Sequence, residues 1–123
     1  MAKLVLIEDS KNLALALKGA LEINGHEVVW VDDGRQALMT VKKNKPAAVL
    51  LDLMLPHING FEICKAIKTD SSVFKIPVII MSTLADYESK QKAQEVGADY
   101  YIEKPYNLKE TLAQINSYLP KKK

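Results

Sequence analysis

The sequence predicts a doubly wound α/β fold, and three observations predict it. Five short apolar runs alternate with five longer amphipathic ones along 123 residues, and no repeat or low-complexity stretch interrupts them. The central run AAVLL, Ala47 to Leu51, is apolar without alternation, as in a strand buried on both faces. Parallel strands need crossover connections, and both faces of such a sheet must be covered, so a sheet layered between helices is expected.

The first strand is expected at Lys3 to Ile7. Ser10 then offers a cap for a helix over Lys11 to Ile23, and Asn24-Gly25 a turn that ends it. A second strand, Glu27 to Val31, leads to Asp33, a cap for a second helix over Arg35 to Lys43. Pro46 and Pro77 stand just before the third and fourth strands, Ala47 to Leu51 and Val78 to Met81, with a helix at Gly60 to Lys68 between them. The fourth helix, Tyr87 to Val96, offers mainly Ala93 and Val96 for burial, so its packing is expected to be loose, whether incidentally or for use. A fifth strand at Tyr100 to Ile102 precedes the last helix, Leu108 to Leu119, where Leu108, Leu112, Ile115 and Leu119 form an apolar stripe.

Hydrophobic residues make up 48% and charged residues 26%, the composition of an ordinary globular protein, and the length suits one domain. We expect that domain over residues 1–119, with 120–123 a basic tail or the start of a linker. Three of the 17 Lys and Arg are the terminal Lys121, Lys122 and Lys123, which leaves fourteen against 15 Asp and Glu. No basic domain exists, so partners are expected to be proteins, without direct nucleic-acid contact. The apolar segment Leu4 to Ile7 is too short for a signal-peptide core or a membrane span, and a soluble, cytoplasmic protein is expected. Cys64, the one cysteine, lies on an expected helix and reads as packing rather than redox chemistry.

Ligands of open α/β sheets bind beyond the carboxyl ends of the strands. There the chain places Glu8-Asp9 after the first strand, Asp52 after the third, Ser82-Thr83 after the fourth and Lys104-Pro105 after the fifth. Three clustered carboxylates repel by roughly 3 kcal/mol per pair at ~5 Å and an effective dielectric near 20, more than one lysine offsets. A divalent cation is therefore expected, and a small, oxygen-only, partly hydrated site suits Mg²⁺ better than Ca²⁺, with Mn²⁺ a possible substitute. A carboxylate held against Mg²⁺ and a lysine is placed to attack phosphorus and become an aspartyl phosphate.

These residues resemble the receiver domain of bacterial response regulators, the acceptor half of two-component signalling. The likeness runs over essentially the whole chain and rests on VLIEDS, LLDLMLPHINGFE, PVIIMST and GADYYIEKPY, in that order. It implies a flavodoxin-like sandwich with strand order 2-1-3-4-5. It also implies Asp52 as phosphoacceptor, Asp9 as a direct Mg²⁺ ligand, Glu8 acting through a water, and the Met54 backbone carbonyl completing the set. Lys104 is implied to pair with Asp52 and then with a phosphoryl oxygen, Ser82 to donate its hydroxyl to the phosphoryl group, and Tyr101 to act as the switch aromatic. Pro105 is implied to follow a cis bond that aims the lysine. The partners implied are a sensor histidine kinase or phosphotransfer protein as donor, and a downstream protein target or fused effector. The output face would be the fourth helix, fifth strand and fifth helix, on a monomer that could dimerise when phosphorylated.

Thr83 stands where the family often has Ala, which narrows access, and the apolar Met54 and Leu84 either slow self-dephosphorylation or merely pack. His57 reads as a solvated loop residue, and His26, Trp30 and Phe61 as structural. Tyr100, Tyr101 and Tyr106 are divided between core packing and partner contact. The chain is either a stand-alone signalling domain or the receiver of a longer regulator. An aspartate-nucleophile phosphatase is disfavoured, because that chemistry places a second Asp where Met54 stands, and with it any enzyme acting on an external substrate. A nucleotide-binding module is disfavoured because EDSKN after the first strand has no phosphate-cradling glycine, and a pseudo-receiver because every acidic and basic site residue is present.

Overall fold

The computed structural model describes residues 2–84, 86–104 and 107–119. Pro105, Tyr106 and the tail at 120–123 lie outside the described residues, and with them the expected cis bond and the tail boundary. The chain runs β1 (Lys3–Ile7), α1 (Lys11–Ile23), β2 (Glu27–Val31), a 3-10 turn (Gly34–Gln36), α2 (Ala37–Asn44) and β3 (Ala48–Asp52). It continues through α3 (Gly60–Thr69), β4 (Val78–Ser82), α4 (Tyr87–Glu95), β5 (Tyr100–Glu103) and α5 (Leu108–Tyr118). All strand pairs are parallel, in the order β2-β1-β3-β4-β5, as the resemblance implies.

Alternation along the strands divides the core in two. Val5, Ile7, Val49, Leu51, Val78 and Ile80 face a layer built by Ala37 and Val41 of α2, Ile63, Cys64 and Ile67 of α3 and Ala93 of α4. Leu4, Leu6, Leu50, Ile79 and Met81 face Ala14, Leu17 and Leu21 of α1 and Ile115 of α5. Each such side chain, once out of water, contributes about 1.5–3 kcal/mol, which is why β1, β3 and β4 are apolar on both faces. The sheet edges β2 and β5 are only part-buried.

Side-chain caps fix where the helices start: Ser10 accepts from the Leu13 amide, Asn59 from Phe61, Asp86 from Ser89 and Asn107 from Glu110. Gly25 and Gly97 close turns at φ of +90° and +91°, a conformation that side chains with a Cβ rarely adopt.

Three expectations are corrected. Asp33 caps the 3-10 turn, and α2 starts only at Ala37 rather than Arg35. β3 is shifted by one residue, so Asp52 is its last member rather than its successor. The buried line of α5 is Thr111 and Ile115, with Leu112 and Leu119 half-buried and Leu108 39% exposed. Tyr118 stacks on Tyr100 of β5 with ring centroids 3.8 Å apart, a contact made on the Thr111–Ile115 side of the leucine stripe. The fourth helix fits its expectation: Ala93 is its one fully buried residue.

Candidate functional site

The carboxyl ends of four neighbouring strands bring the expected residues together. β1 runs out into Glu8 and Asp9, β3 ends on Asp52, β4 ends on Ser82, and β5 is followed by Lys104. The register pairs Ile7 with Leu51, Asp52 with Met81 and Ser82 with Glu103, so Glu8 and Asp52 leave the sheet at one level, Ser82 one residue further along and Lys104 one residue beyond that. Glu8 is 1% exposed, Asp52 5% and Ser82 0%, whereas Asp9 faces solvent.

One carboxylate oxygen from each of Glu8, Asp9 and Asp52 lies within 4.8 Å of the others. The Lys104 ammonium is 2.9 Å from Glu8 Oε1 and 3.4 Å from Asp52 Oδ2. Its shorter contact is thus with Glu8, although the resemblance singled out Asp52. The Met54 amide donates to Asp52 Oδ1 at 3.1 Å and the Ser10 amide to Glu8 Oε2 at 3.2 Å. One ammonium cannot balance three carboxylates, and burial together with the adjoining Asp52 holds the Glu8 carboxyl well above the usual carboxylate range. The excess negative charge is offset either by a proton on Glu8 or by a bound cation. The all-oxygen donor set matches a hard divalent ion such as Mg²⁺.

The remaining candidates fall around this centre. The Lys104 amide donates to the Ser82 carbonyl at 2.6 Å, which ties the lysine's backbone to the end of β4. Ser82 Oγ accepts from the Leu84 amide at 3.0 Å, and the Tyr101 hydroxyl donates to the Leu84 carbonyl. Ser82 and Tyr101 are therefore joined through one residue, Leu84, which packs against the core while Thr83 is exposed. Burial raises the Tyr101 hydroxyl's pKa. Asp9, Met54, Pro56 and His57 line an open cleft of about 590 Å³ beside the carboxylates; Met54 is 58% exposed, and His57 is exposed with a φ of 73°.

Two residues that the sequence did not mark as site candidates bear on the site. Trp30, read as structural, donates its indole N–H to the Glu8 carbonyl at 2.7 Å. Gly60 opens α3 against the backbone of the acceptor strand: a Cβ there would lie 2.6 Å from Leu53 Cα and 2.7 Å from the Asp52 carbonyl oxygen. The sequence marks Gly60 only as the start of the third helix and as part of LLDLMLPHINGFE, and nothing in it signals how closely the acceptor strand approaches.

A family model for the response regulator receiver domain matches residues 4–116. Response regulator ArlR of Staphylococcus saprophyticus is 38% identical over 119 residues, covering 97% of this chain and 53% of the relative. DNA-binding response regulator MtrA of Mycolicibacterium paratuberculosis is 35% identical over 117 residues, covering 95% of this chain and 51% of the relative. The chain thus spans about half the length of the curated relatives it matches. Among solved structures, chemotaxis response regulator CheY4 of Vibrio cholerae superposes with a TM-score of 0.91 at 30% identity, covering 97% of this chain and 99% of that one.

Proposed function

Because this chain belongs to the response regulator receiver family of two-component signalling, we propose that it takes a phosphoryl group from a partner's phosphohistidine onto Asp52. The observation that carries this reading is the convergence of Glu8, Asp9, Asp52 and Lys104 at the strand ends, with Ser82 fully buried on the neighbouring strand. In the step, an Asp52 carboxylate oxygen attacks phosphorus and forms the acyl phosphate P–O bond. The P–N bond of the donor breaks, and its electron pair returns to the imidazole, which takes up a proton. Lys104, already at Asp52, moves with the charge onto a phosphoryl oxygen as a point-charge clamp. The Ser82 hydroxyl, now an acceptor for the Leu84 amide, turns to donate to another.

Mg²⁺, or Mn²⁺ in its place, would be held by Asp9, Asp52 and the Met54 carbonyl, with Glu8 acting through a water, and when bound it supplies positive charge to the phosphoryl oxygens. Turning Ser82 away from Leu84 releases one end of the link to Tyr101 and so biases the face formed by α4, β5 and α5. That face would signal to a downstream protein. The receiver would comprise residues 1–119 and act without turnover of an external substrate. Among the described residues no helix is long and apolar enough to cross a membrane. The greater length of the relatives supports a second reading, in which this receiver controls an effector carried on the same polypeptide.

Intact-mass spectrometry after incubation with acetyl phosphate tests the reading. The expected result is a single phosphoryl adduct that needs Mg²⁺ and is absent from Asp52→Asn. An adduct on folded Asp52→Asn equal to that of the native protein would overturn it.

A further inference from the structure

Trp30 is the sole tryptophan, and its indole occupies a place that a backbone amide would ordinarily take. β1 and β2 pair in parallel from Lys3 opposite Glu27 to Ile7 opposite Val31, and the Glu8 amide extends the ladder by donating to the Val31 carbonyl at 3.0 Å. In a ladder that continued, the Glu8 carbonyl would accept from the amide two residues beyond Val31, that of Asp33. β2 instead ends at Val31, and Asp33 turns away to cap the Gly34–Gln36 turn. On a residue 1% exposed, an unpaired carbonyl costs free energy, and the Trp30 N–H takes that carbonyl at 2.7 Å. Val31 holds one end of Glu8's backbone, Trp30 the other, and the Ser10 amide holds the Glu8 carboxylate. The peptide plane from which Asp9 departs is fixed by the same bond.

We propose that Trp30 is a positioning residue of the acidic site: its indole N–H locks the Glu8–Asp9 peptide so that both carboxylates stand against Asp52, and thereby sets the affinity for a divalent cation. This rests on the reading of the cluster as a cation site. The rest of the indole packs against the α1 side of the core, so packing and hydrogen bonding are separable in experiment.

The test replaces Trp30 with β-(3-benzothienyl)alanine, which keeps the bicyclic shape and exchanges the N–H for sulfur, and in parallel makes Trp30→Phe. Mg²⁺ is titrated against amide NMR shifts, and unfolding by urea is followed in EDTA. The Mg²⁺ dissociation constant is expected to rise about tenfold in both variants, the usual order for loss of an outer hydrogen bond to a metal site. The urea midpoint of the benzothienyl protein is expected to change little, and its labelling by acetyl phosphate to recover at saturating Mg²⁺. Native Mg²⁺ affinity in the benzothienyl protein, or in a folded Trp30→Phe, would overturn the positioning role alone. Failure of the native protein to bind Mg²⁺ would overturn the cation reading and this proposal with it.

Discussion

Burial and the adjoining Asp52 carboxylate raise the Glu8 carboxyl from 4.5 to about 7, even with Lys104 at 2.9 Å. The sign of the consequence follows from proton linkage. Below pH 4.5 folded and unfolded chains both hold the proton, so Glu8 contributes nothing. Between 4.5 and about 7 the unfolded chain releases it while the folded chain keeps it, and stability falls as pH rises. Above pH 7 the full cost, on the order of 3 kcal/mol, is present. Metal-free protein is therefore expected to unfold at lower urea at pH 8 than at pH 5, with Glu8→Gln flattening that difference. A cation prefers the ionised form, so Mg²⁺ affinity in an NMR titration is expected to strengthen from pH 6 to pH 8 in the native protein and less so in Glu8→Gln.

Two helices show how element placement serves the site. The first residue of α3, Gly60, lies so close to the Asp52–Leu53 backbone that a methyl group would meet main-chain atoms at 2.6 and 2.7 Å, and those atoms have no free rotation by which to yield. Gly60→Ala is expected to cost about 1–3 kcal/mol in urea unfolding and to slow acetyl phosphate labelling, because relief comes only by moving the acceptor strand's end. A Gly60→Ala protein with native stability and labelling rate would contradict this. In α5, Thr111 is fully buried and its hydroxyl finds no hydrogen-bond partner among the described residues. Thr111→Val keeps the shape and removes the stranded hydroxyl, so a gain of about 1 kcal/mol in urea unfolding is expected.

At the scale of the whole molecule, Cys64 reports on the core. It sits at 0% exposure, and burial pushes its thiol up to about 12. At pH 8.5 the folded thiol is neutral as well as covered. Labelling by a thiol reagent is expected to follow global opening and so to run at least about a thousandfold slower than in urea-unfolded chain.

Much of this architecture was legible in the sequence, because β1, β3 and β4 carry unbroken apolar runs and Ser10, Asn24-Gly25, Pro46 and Pro77 mark their borders. The convergence of Glu8, Asp9, Asp52, Ser82 and Lys104 was legible for the same reason, since each follows or ends a strand of one parallel sheet. What depends on side chains far apart in sequence was not. The preference of Lys104 for Glu8 is set across 96 residues, and the Trp30 bond to the Glu8 carbonyl across 22. The rotation of α5 onto Thr111 and Ile115 likewise departs from the leucine spacing, on the side where Tyr118 stacks on Tyr100.

The central claim is that Asp52 is the residue that receives the phosphoryl group, and one measurement addresses it most directly. Borohydride reduces an aspartyl phosphate to homoserine, so protein treated with acetyl phosphate and Mg²⁺, then with borohydride, can be digested and sequenced by tandem mass spectrometry. Homoserine is expected at position 52, with Asp9 unaltered and no 5-hydroxynorvaline, the product a glutamyl phosphate would give, at position 8. Reduction at Asp9, or a phosphorylated protein with Asp52 unaltered, would contradict it.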